Sequence, residues 1–522
     1  MALRGLGGAG LGRAARSRTG LVLAALALYL GAGALSTWPA LREANDSFLA
    51  EGRPGRGEAA PGDHLQSAYL LWLPGHQLAR GKAPWLDPYS FRPAVEERVS
   101  FAGWPFALVY GPLQALLGTV GAWNAFLLLT YLGAGAATFL WLRELGVSRS
   151  AALAGGLVFA LAPYRAAQLS AGHMLAPASL LLPLALWALE RRLTVVAVLA
   201  LASIPLSGQV HLALGAIPFF LLYAVCRGRR HAGAVGSGVA LAAGGIVWAV
   251  SIRGSLGSGS RSFAEVERYS AELADFVSRD VRHGLESFVF LGWLTPLVAL
   301  AGLALVVRAK PRLALALGLG ALVPALLALG ANLPGYEQLW RALPGLRDTR
   351  VPERLLPVAC LCVAGLVALA LDRLPRPVAV AALALVAVDL RAGVELFRPT
   401  AADPFNTAYA ARPGDTTLLE LPVFLPDRQE GSVYQYYAIG APGPRSGGYS
   451  TTAPPRADAA LRALKPLECG RDVAAPPAAV AVHRALYAGR SACLGRALDL
   501  LRRSGYREAA RDGPVSLHLR SE

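Results

Sequence analysis

Apolar stretches almost free of charge recur along this chain, at 21–38, 151–162, 193–204, 240–250, 294–307 and 313–329. They are continuous rather than alternating, so they predict helices and not barrel strands. A helix needs about 20 mostly apolar residues to cross roughly 30 Å of hydrocarbon, and hydrocarbon satisfies no backbone polar group. The pattern therefore predicts an all-α polytopic membrane protein of about 11 transmembrane helices. The predicted spans are 20–38, 121–142, 151–169, 173–189, 193–207, 210–226, 232–251, 287–307, 312–330, 353–371 and 377–396.

The polar segments between them set a topology. Arg13, Arg16 and Arg18 hold the amino terminus, 1–19, in the cytoplasm. Arginines recur in the short loops at 143–149, 191–192, 227–230, 308–312 and 373–376. These loops share the cytoplasmic side only if 101–119 does not cross. That segment contains Gly103, Pro105, Gly111 and Pro112, which suits a broken or re-entrant element. Residues 20–396 then form the transmembrane domain, with outer loops at 39–120, 252–286 and 331–352. The tail, 397–522, lies outside the cytoplasm as a small α/β module. Its predicted strands are 417–423, 433–437 and 515–519, and its predicted helices 461–464 and 497–503. Cys469 and Cys493 would face an oxidising compartment there, and a disulfide between them is expected.

Composition supports this class. Of 522 residues, 54% are hydrophobic and 16% charged, with a mean hydropathy of +0.44. A soluble domain carries roughly 25% charged residues. The formal charge of +16 sits largely in loops where topology explains it, and no basic–aromatic motif implies nucleic acid. Arginine is common while lysine is confined to Lys82, Lys310 and Lys465, a bias typical of a GC-rich bacterial genome. The lipid bilayer is the first implied partner.

Residues able to do chemistry collect on the outer face. In the first outer loop, Gly62, Asp63 and His64 precede apolar positions at helical spacing, Leu65, Tyr69, Trp72 and Leu73. This predicts an amphipathic helix over 63–79 at the interface, with Trp72 and Trp85 as headgroup anchors. Asp63 would either cap that helix or act as a general base at the membrane surface. The segment 51–60, rich in glycine and charge, is expected to be a flexible insert. Tyr164 and Arg165 end the third span and His173 begins the fourth, where His173 would be a substrate contact, a metal ligand or a water-bonded interfacial residue. Arg347, Arg350 and Arg354 could clamp a phosphate, or pair locally with Asp348 and Glu353. No HExxH, CxxC pair or histidine cluster at metal spacing occurs, and no GxxxxGK[ST] loop implies ATP.

Taken together, Gly62 and Asp63, Trp72, Gly81, Pro84, Phe91-Arg92-Pro93, Arg143-Glu144-Leu145 and Ala162-Pro163-Tyr164-Arg165 resemble bacterial membrane proteins of the GT-C glycosyltransferase superfamily. Leu333-Pro334-Gly335-Tyr336 and Arg350-Val351-Pro352-Glu353-Arg354 extend the resemblance to a poorly characterised subgroup, over roughly 20–396. It implies an enzyme of the bacterial inner membrane with its site at the outer leaflet. Such an enzyme moves a sugar from a polyprenyl-phosphate-linked donor to a glycan, lipid or protein acceptor of the envelope. Asp63 would be the catalytic residue, a general base that deprotonates the acceptor hydroxyl. The substrate-binding residues would be His64, Tyr164, Arg165, His173, Arg347, Arg350 and Arg354. A divalent metal is left open, since relatives place a second acidic residue where this chain has His173. Two other classes share the scaffold: a non-catalytic envelope-assembly protein, and a lipid or glycan transporter. Bare span interiors and the absence of a clear repeat argue against an ion-coupled transporter.

Overall fold

The computed structural model describes residues 8–51, 57–253, 261–281, 284–343, 345–391, 396–401 and 406–520. Residues 52–56 of the insert expected at 51–60 lie outside the described residues, as does the side chain of Asp348. Glu58, Ala59 and Ala60 are buried rather than part of a flexible insert, because Glu58 is bound to His483 of the C-terminal module. Helices follow the apolar pattern. The first half holds α1 (Gly8–Ser36), α2 (Asp63–Ala79), α3 (Ala107–Glu144), α4 (Arg149–Ala160), α5 (Pro163–Ser170), α6 (Leu175–Ser179), α7 (Leu181–Arg191), α8 (Thr194–Leu206), α9 (Val210–Arg227) and α10 (Arg229–Arg253). After these come α11 (Phe263–Tyr269), α12 (Leu294–Ala309), α13 (Pro311–Leu327), α14 (Tyr336–Ala342), α15 (Leu356–Leu371) and α16 (Arg376–Asp389). Among the described residues four helices are long and apolar enough to cross a membrane, and the bent pair α4–α5 makes a fifth. Shorter apolar helices include α8, α12 and α13.

The bundle is organised around α15, every residue of which is buried. A helix apolar on all sides belongs at a core, and α3, α4, α9, α12 and α13 surround this one. Small residues let the helices close up. A Cβ at Gly156 would lie 2.3 Å from the Tyr29 hydroxyl and 2.5 Å from the Gly135 carbonyl, so α1, α3 and α4 meet at backbone distance. Asp389, at the end of α16, accepts from the backbone N–H groups of Trp293, Leu294 and Thr295, capping α12.

The basic loops meet at one end of this bundle. Lys310 Nζ donates to the Leu145 carbonyl, the Ser148 N–H donates to Asp372, and Arg191 pairs with Glu144. At that end too, Arg227 clamps Glu190 through two 2.7 Å bonds.

Three further sequence expectations are corrected here. The segment 101–119 is broken, but at Gly118 (φ 69°, ψ 179°), and Gly111 and Pro112 sit inside a helix that continues as α3. Trp72 is not an exposed anchor: it is 7% exposed and stacks on His76 at 4.2 Å. The reason is that α2 is covered by the C-terminal module rather than lying open at an interface. Finally, 433–437 is not a strand but part of α17 (Ser432–Gly440), buried on all sides against α2. Its β-branched and aromatic residues favour strands only weakly, and packing overrides that preference.

The remainder of the C-terminal module is mixed. Strands β5 (Leu418–Leu421), β6 (Ala479–His483), β7 (Tyr506–Asp512) and β8 (Val515–Arg520) form a sheet of order β5-β6-β8-β7, with β5 and β6 parallel. Helices α18 (Pro455–Leu464) and α19 (Ser491–Arg503) pack on it, and a disulfide joins Cys469 to Cys493 with Cα atoms 4.1 Å apart. Two small antiparallel pairs precede it in the chain, β1 (Ser47–Ala50) with β4 (Arg398–Ala401) and β2 (Leu86–Asp87) with β3 (Arg98–Val99). Pairing β1 with β4 ties the first polar loop to the segment that leads into the module.

Candidate active site

The amino terminus of α2 and the turn between α5 and α6 meet at Gly172. Its φ is +81°, and a Cβ there would lie 2.2 Å from the His64 backbone nitrogen. Only glycine combines that left-handed conformation with so close an approach. Ser67 Oγ donates to the Gly172 carbonyl at 2.7 Å and fixes the contact. The next residue, His173, thereby comes to face the first residue of α2, Asp63.

Asp63 does not cap its helix; the cap position is Gly62. Its carboxylate is instead held by three side chains. His173 Nε2 lies 2.9 Å from Oδ2, while Gln429 Nε2 at 2.8 Å and the Tyr449 hydroxyl at 3.0 Å donate to Oδ1. Burial pushes the Asp63 carboxyl up, but the hydrogen bond and charge of His173 and the bonds from Gln429 and Tyr449 outweigh it. The group is held below the usual carboxylate range. Burial and the neighbouring Asp63 charge push the Tyr449 phenol up, so it stays protonated and donates.

The polar chain continues past His173. Its Nδ1 faces Gln168 Oε1 at 2.7 Å, and its Nε2 is 3.8 Å from Glu286. Glu286 pairs with Arg354 at 2.7 Å. Burial pushes the Glu286 carboxyl up, and the charges of Arg354 and His173 bring it below its ordinary value. Arg350 lies 3.8 Å from Glu265 and 5.5 Å over the Tyr269 ring.

A cavity of about 620 Å³ opens here, lined by Asp63, His173, Glu286, Arg350, Arg354 and Tyr449 among others. That volume suits a sugar-sized group together with a phosphate. The structure thus brings together four of the residues singled out from sequence: Asp63, His173, Arg350 and Arg354. The other four stand elsewhere. His64 is buried against Phe48, with ring centroids 5.1 Å apart, because its backbone is pinned by Gly172. Tyr164 is fully buried in the bundle. Arg165, also fully buried, donates to Ser179 and to the carbonyls of Phe159, Ala160 and Ala176. It satisfies the orphan carbonyls where α4 breaks into α5, and so serves the fold. Arg347 is exposed, away from the cavity.

Glu286, Gln429 and Tyr449 were not singled out from sequence. The two neutral residues carry no pattern signal in a polar tail, and Glu286 sits among many charges in its loop. For a metal, among the described residues no group of three or more His, Cys, Asp or Glu side chains is arranged to hold one. The Asp63 oxygens are held by His173, Gln429 and Tyr449, while Glu286 pairs with Arg354 through Oε1 and its buried Oε2 has no hydrogen-bond partner.

No protein-family model matches the sequence, and no curated protein sequence matches it. Solved structures do match its fold. The arabinofuranosyltransferase AftD from Mycobacteria superposes with a TM-score of 0.60 at 17% identity, over 97% of this chain and 40% of that one. ArnT from Cupriavidus metallidurans gives 0.52 at 15% identity over 96% and 98% of the two chains. It also matches, at 0.50 and 13% identity, when bound to undecaprenyl phosphate. The oligosaccharyltransferase of Archaeoglobus fulgidus gives 0.50 at 12% identity, over 97% of this chain and 74% of the other. The present chain thus spans well under half of AftD. These three proteins share little sequence with the chain and share its arrangement of helices, so the chain has their fold.

Proposed function

We propose that this protein transfers a sugar from a polyprenyl-phosphate-linked donor to an envelope acceptor at the outer face of the bacterial inner membrane. One observation carries the reading: an ionised carboxylate, Asp63, lines the same cavity as Arg350 and Arg354. Glycosyl transfer needs this pairing. The acceptor hydroxyl attacks the anomeric carbon, its proton passes to Asp63, and the bond from that carbon to the phosphate oxygen breaks. The polyprenyl phosphate leaves with the bonding electrons, and Arg350 and Arg354 offset the charge that develops on it. A carboxylate of low basicity suffices, because the attacking oxygen becomes strongly acidic as its bond to an oxocarbenium-like carbon forms. The undecaprenyl phosphate held by ArnT supports the donor class.

In this reading residues 1–19 are cytoplasmic, 20–396 thread the membrane about eleven times, and 397–522 lie outside. Two observations support the orientation. The arginine-rich loops meet at the end of the bundle opposite Asp63, as the positive-inside rule requires. The Cys469–Cys493 disulfide belongs to an oxidising compartment. The direct test is transfer in proteoliposomes loaded with a panel of polyprenyl-phosphate sugars. Wild type should turn over one of them, and Asp63→Asn should be at least about 100-fold slower. Equal rates for the two proteins would remove Asp63 from the chemistry.

A further inference from the structure

Exposed apolar side chains gather where α12 begins and α16 ends, away from the basic loops. They are Leu273, Val277, Val281, Trp293, Leu294 and Val388, and Leu273, Val388 and Val277 are 75%, 69% and 61% exposed. Hydrogen bonds join the segments that carry them. Trp293 Nε1 donates to the Val277 carbonyl at 2.8 Å, and Arg279 Nη2 donates at 2.8 Å to the carbonyl of Asp389, the residue after Val388. The segment 272–281 holds its apolar side chains outward. The Glu272 N–H donates to Asp275 Oδ2 at 2.8 Å and closes a turn, while Asn332 Nδ2 donates to the Ala271 carbonyl at 2.9 Å and ties that turn to the end of α13. A fixed apolar patch of this kind marks a contact surface.

Two features select lipid as the occupant. The patch continues onto the exposed apolar positions Leu297 and Leu300 of α12 and Leu385 of α16, which face hydrocarbon if these helices cross the membrane. It is also topped by an aromatic ring and a cation. The Arg279 guanidinium lies 4.4 Å over the Trp293 ring, with its aliphatic stem available to the apolar side. Tryptophan with a satisfied N–H and a snorkelling arginine are residues of the headgroup level. We propose that residues 272–281, with Trp293 and Val388, are seated in the headgroup layer of the outer leaflet and hold there the loop that carries Glu286. This rests on the membrane orientation given above. Glu286 lies between Val281 and Trp293 in the chain and pairs with Arg354, so the seat sets the depth of that wall of the cavity.

Spin-label accessibility tests this without turnover. The full-length protein, in a Cys226→Ser background, carries a nitroxide at Val277→Cys or, as a control, at the exposed Glu267→Cys on α11. It is reconstituted in vesicles of phosphatidylethanolamine and phosphatidylglycerol. Relaxation by oxygen, which enters lipid, is compared with relaxation by a water-soluble nickel chelate. The oxygen-to-nickel ratio should be at least about fivefold higher at Val277→Cys than at Glu267→Cys. Adding Leu273→Gln and Val388→Gln should lower the ratio at Val277→Cys at least about threefold. Equal ratios at the two positions would overturn the seat. A label at Val277→Cys that neither reagent reaches would overturn it too, since protein, a second copy or a partner, would then cover the patch. The side is read separately in spheroplasts, where a membrane-impermeant maleimide should reach Glu267→Cys without lysis. Reaction only after lysis, with the high ratio at Val277→Cys retained, would overturn the orientation and the outer leaflet while the lipid seat stands.

Discussion

Glu58 and His483 are 425 positions apart in the chain and meet at 2.5 Å inside the C-terminal module, with 2% and 0% of their side chains exposed. The contact continues through Tyr409, whose hydroxyl bonds both His483 Nε2 and Glu420, to the Glu420–Arg445 ion pair. The first polar loop is therefore anchored in the module by a buried polar chain as well as by the β1–β4 pairing. Glu58→Ala should cost about 3 kcal/mol, because it strands the rest of the chain without its end partner. His483→Ala should cost a similar amount, and the double variant clearly less than the sum. Thermal melts of the four proteins check this; additive losses would mean that the two residues act separately.

Asp63 and Glu286 both sit below their ordinary carboxyl values. A depressed group contributes stability that is fully present above its unfolded value, near pH 4, and is lost as pH falls through the folded value. His173→Gln removes a hydrogen bond and a charge from Asp63 and leaves burial less opposed. The gap in melting temperature between wild type and His173→Gln should thus be widest near neutral pH and narrow below about pH 4. A gap that stays constant from pH 7 to pH 3.5 would show that the carboxylates do not carry it.

Two arginines of the cavity should separate in their effects. Arg354 is 20% exposed and neutralises Glu286. Arg354→Gln should lower stability by about 2 kcal/mol, leaving a half-buried acid without its counter-charge. Arg350 is 3.8 Å from a partly exposed Glu265, so Arg350→Gln should cost under about 1 kcal/mol. Its loss should appear as a raised KM for the polyprenyl-linked donor. Melts combined with donor titrations measure both; equal stability losses for the two variants would contradict the assignment.

The disulfide closes a loop with a sequence separation of 24. Cys469→Ser with Cys493→Ser should destabilise the module by about 3 kcal/mol. Protease susceptibility of the tail, with and without a membrane-impermeant reductant, reports it. Unchanged susceptibility would show that packing alone holds α19 to the preceding turn.

Reporter fusions check the orientation. Those after Arg149, Arg192, Arg230, Lys310 and Arg376 should report the cytoplasm, and those at Glu58, Glu272, Tyr336 and in the tail the outside. An outside signal at Arg149 would invert the arrangement.

Asp63 and His173 were legible because each is a polar residue where apolar periodicity starts or stops, and such breaks in pattern are visible in one dimension. Gln429 and Tyr449 were not, since neutral residues in a polar tail stand out only once the tail folds back over α2. Arg165 misled for a related reason. A charge at the end of a span suggests a ligand, and the guanidinium is used instead to bond the carbonyls released by a bent helix. The same covering by the tail explains Trp72: helical spacing placed its apolar face correctly, but nothing local said that protein rather than lipid would meet it.

Gln429 reaches Asp63 across 366 positions of chain. At translation rates of about 5–20 residues per second, the ribosome needs on the order of 20–70 s to get from one to the other. Throughout that interval the nascent chain carries Asp63 without the partner that completes its shell. A ribosome that stalls before the last quarter of the message leaves a helix bundle whose Asp63 carboxylate has neither Gln429 nor Tyr449 to hold it.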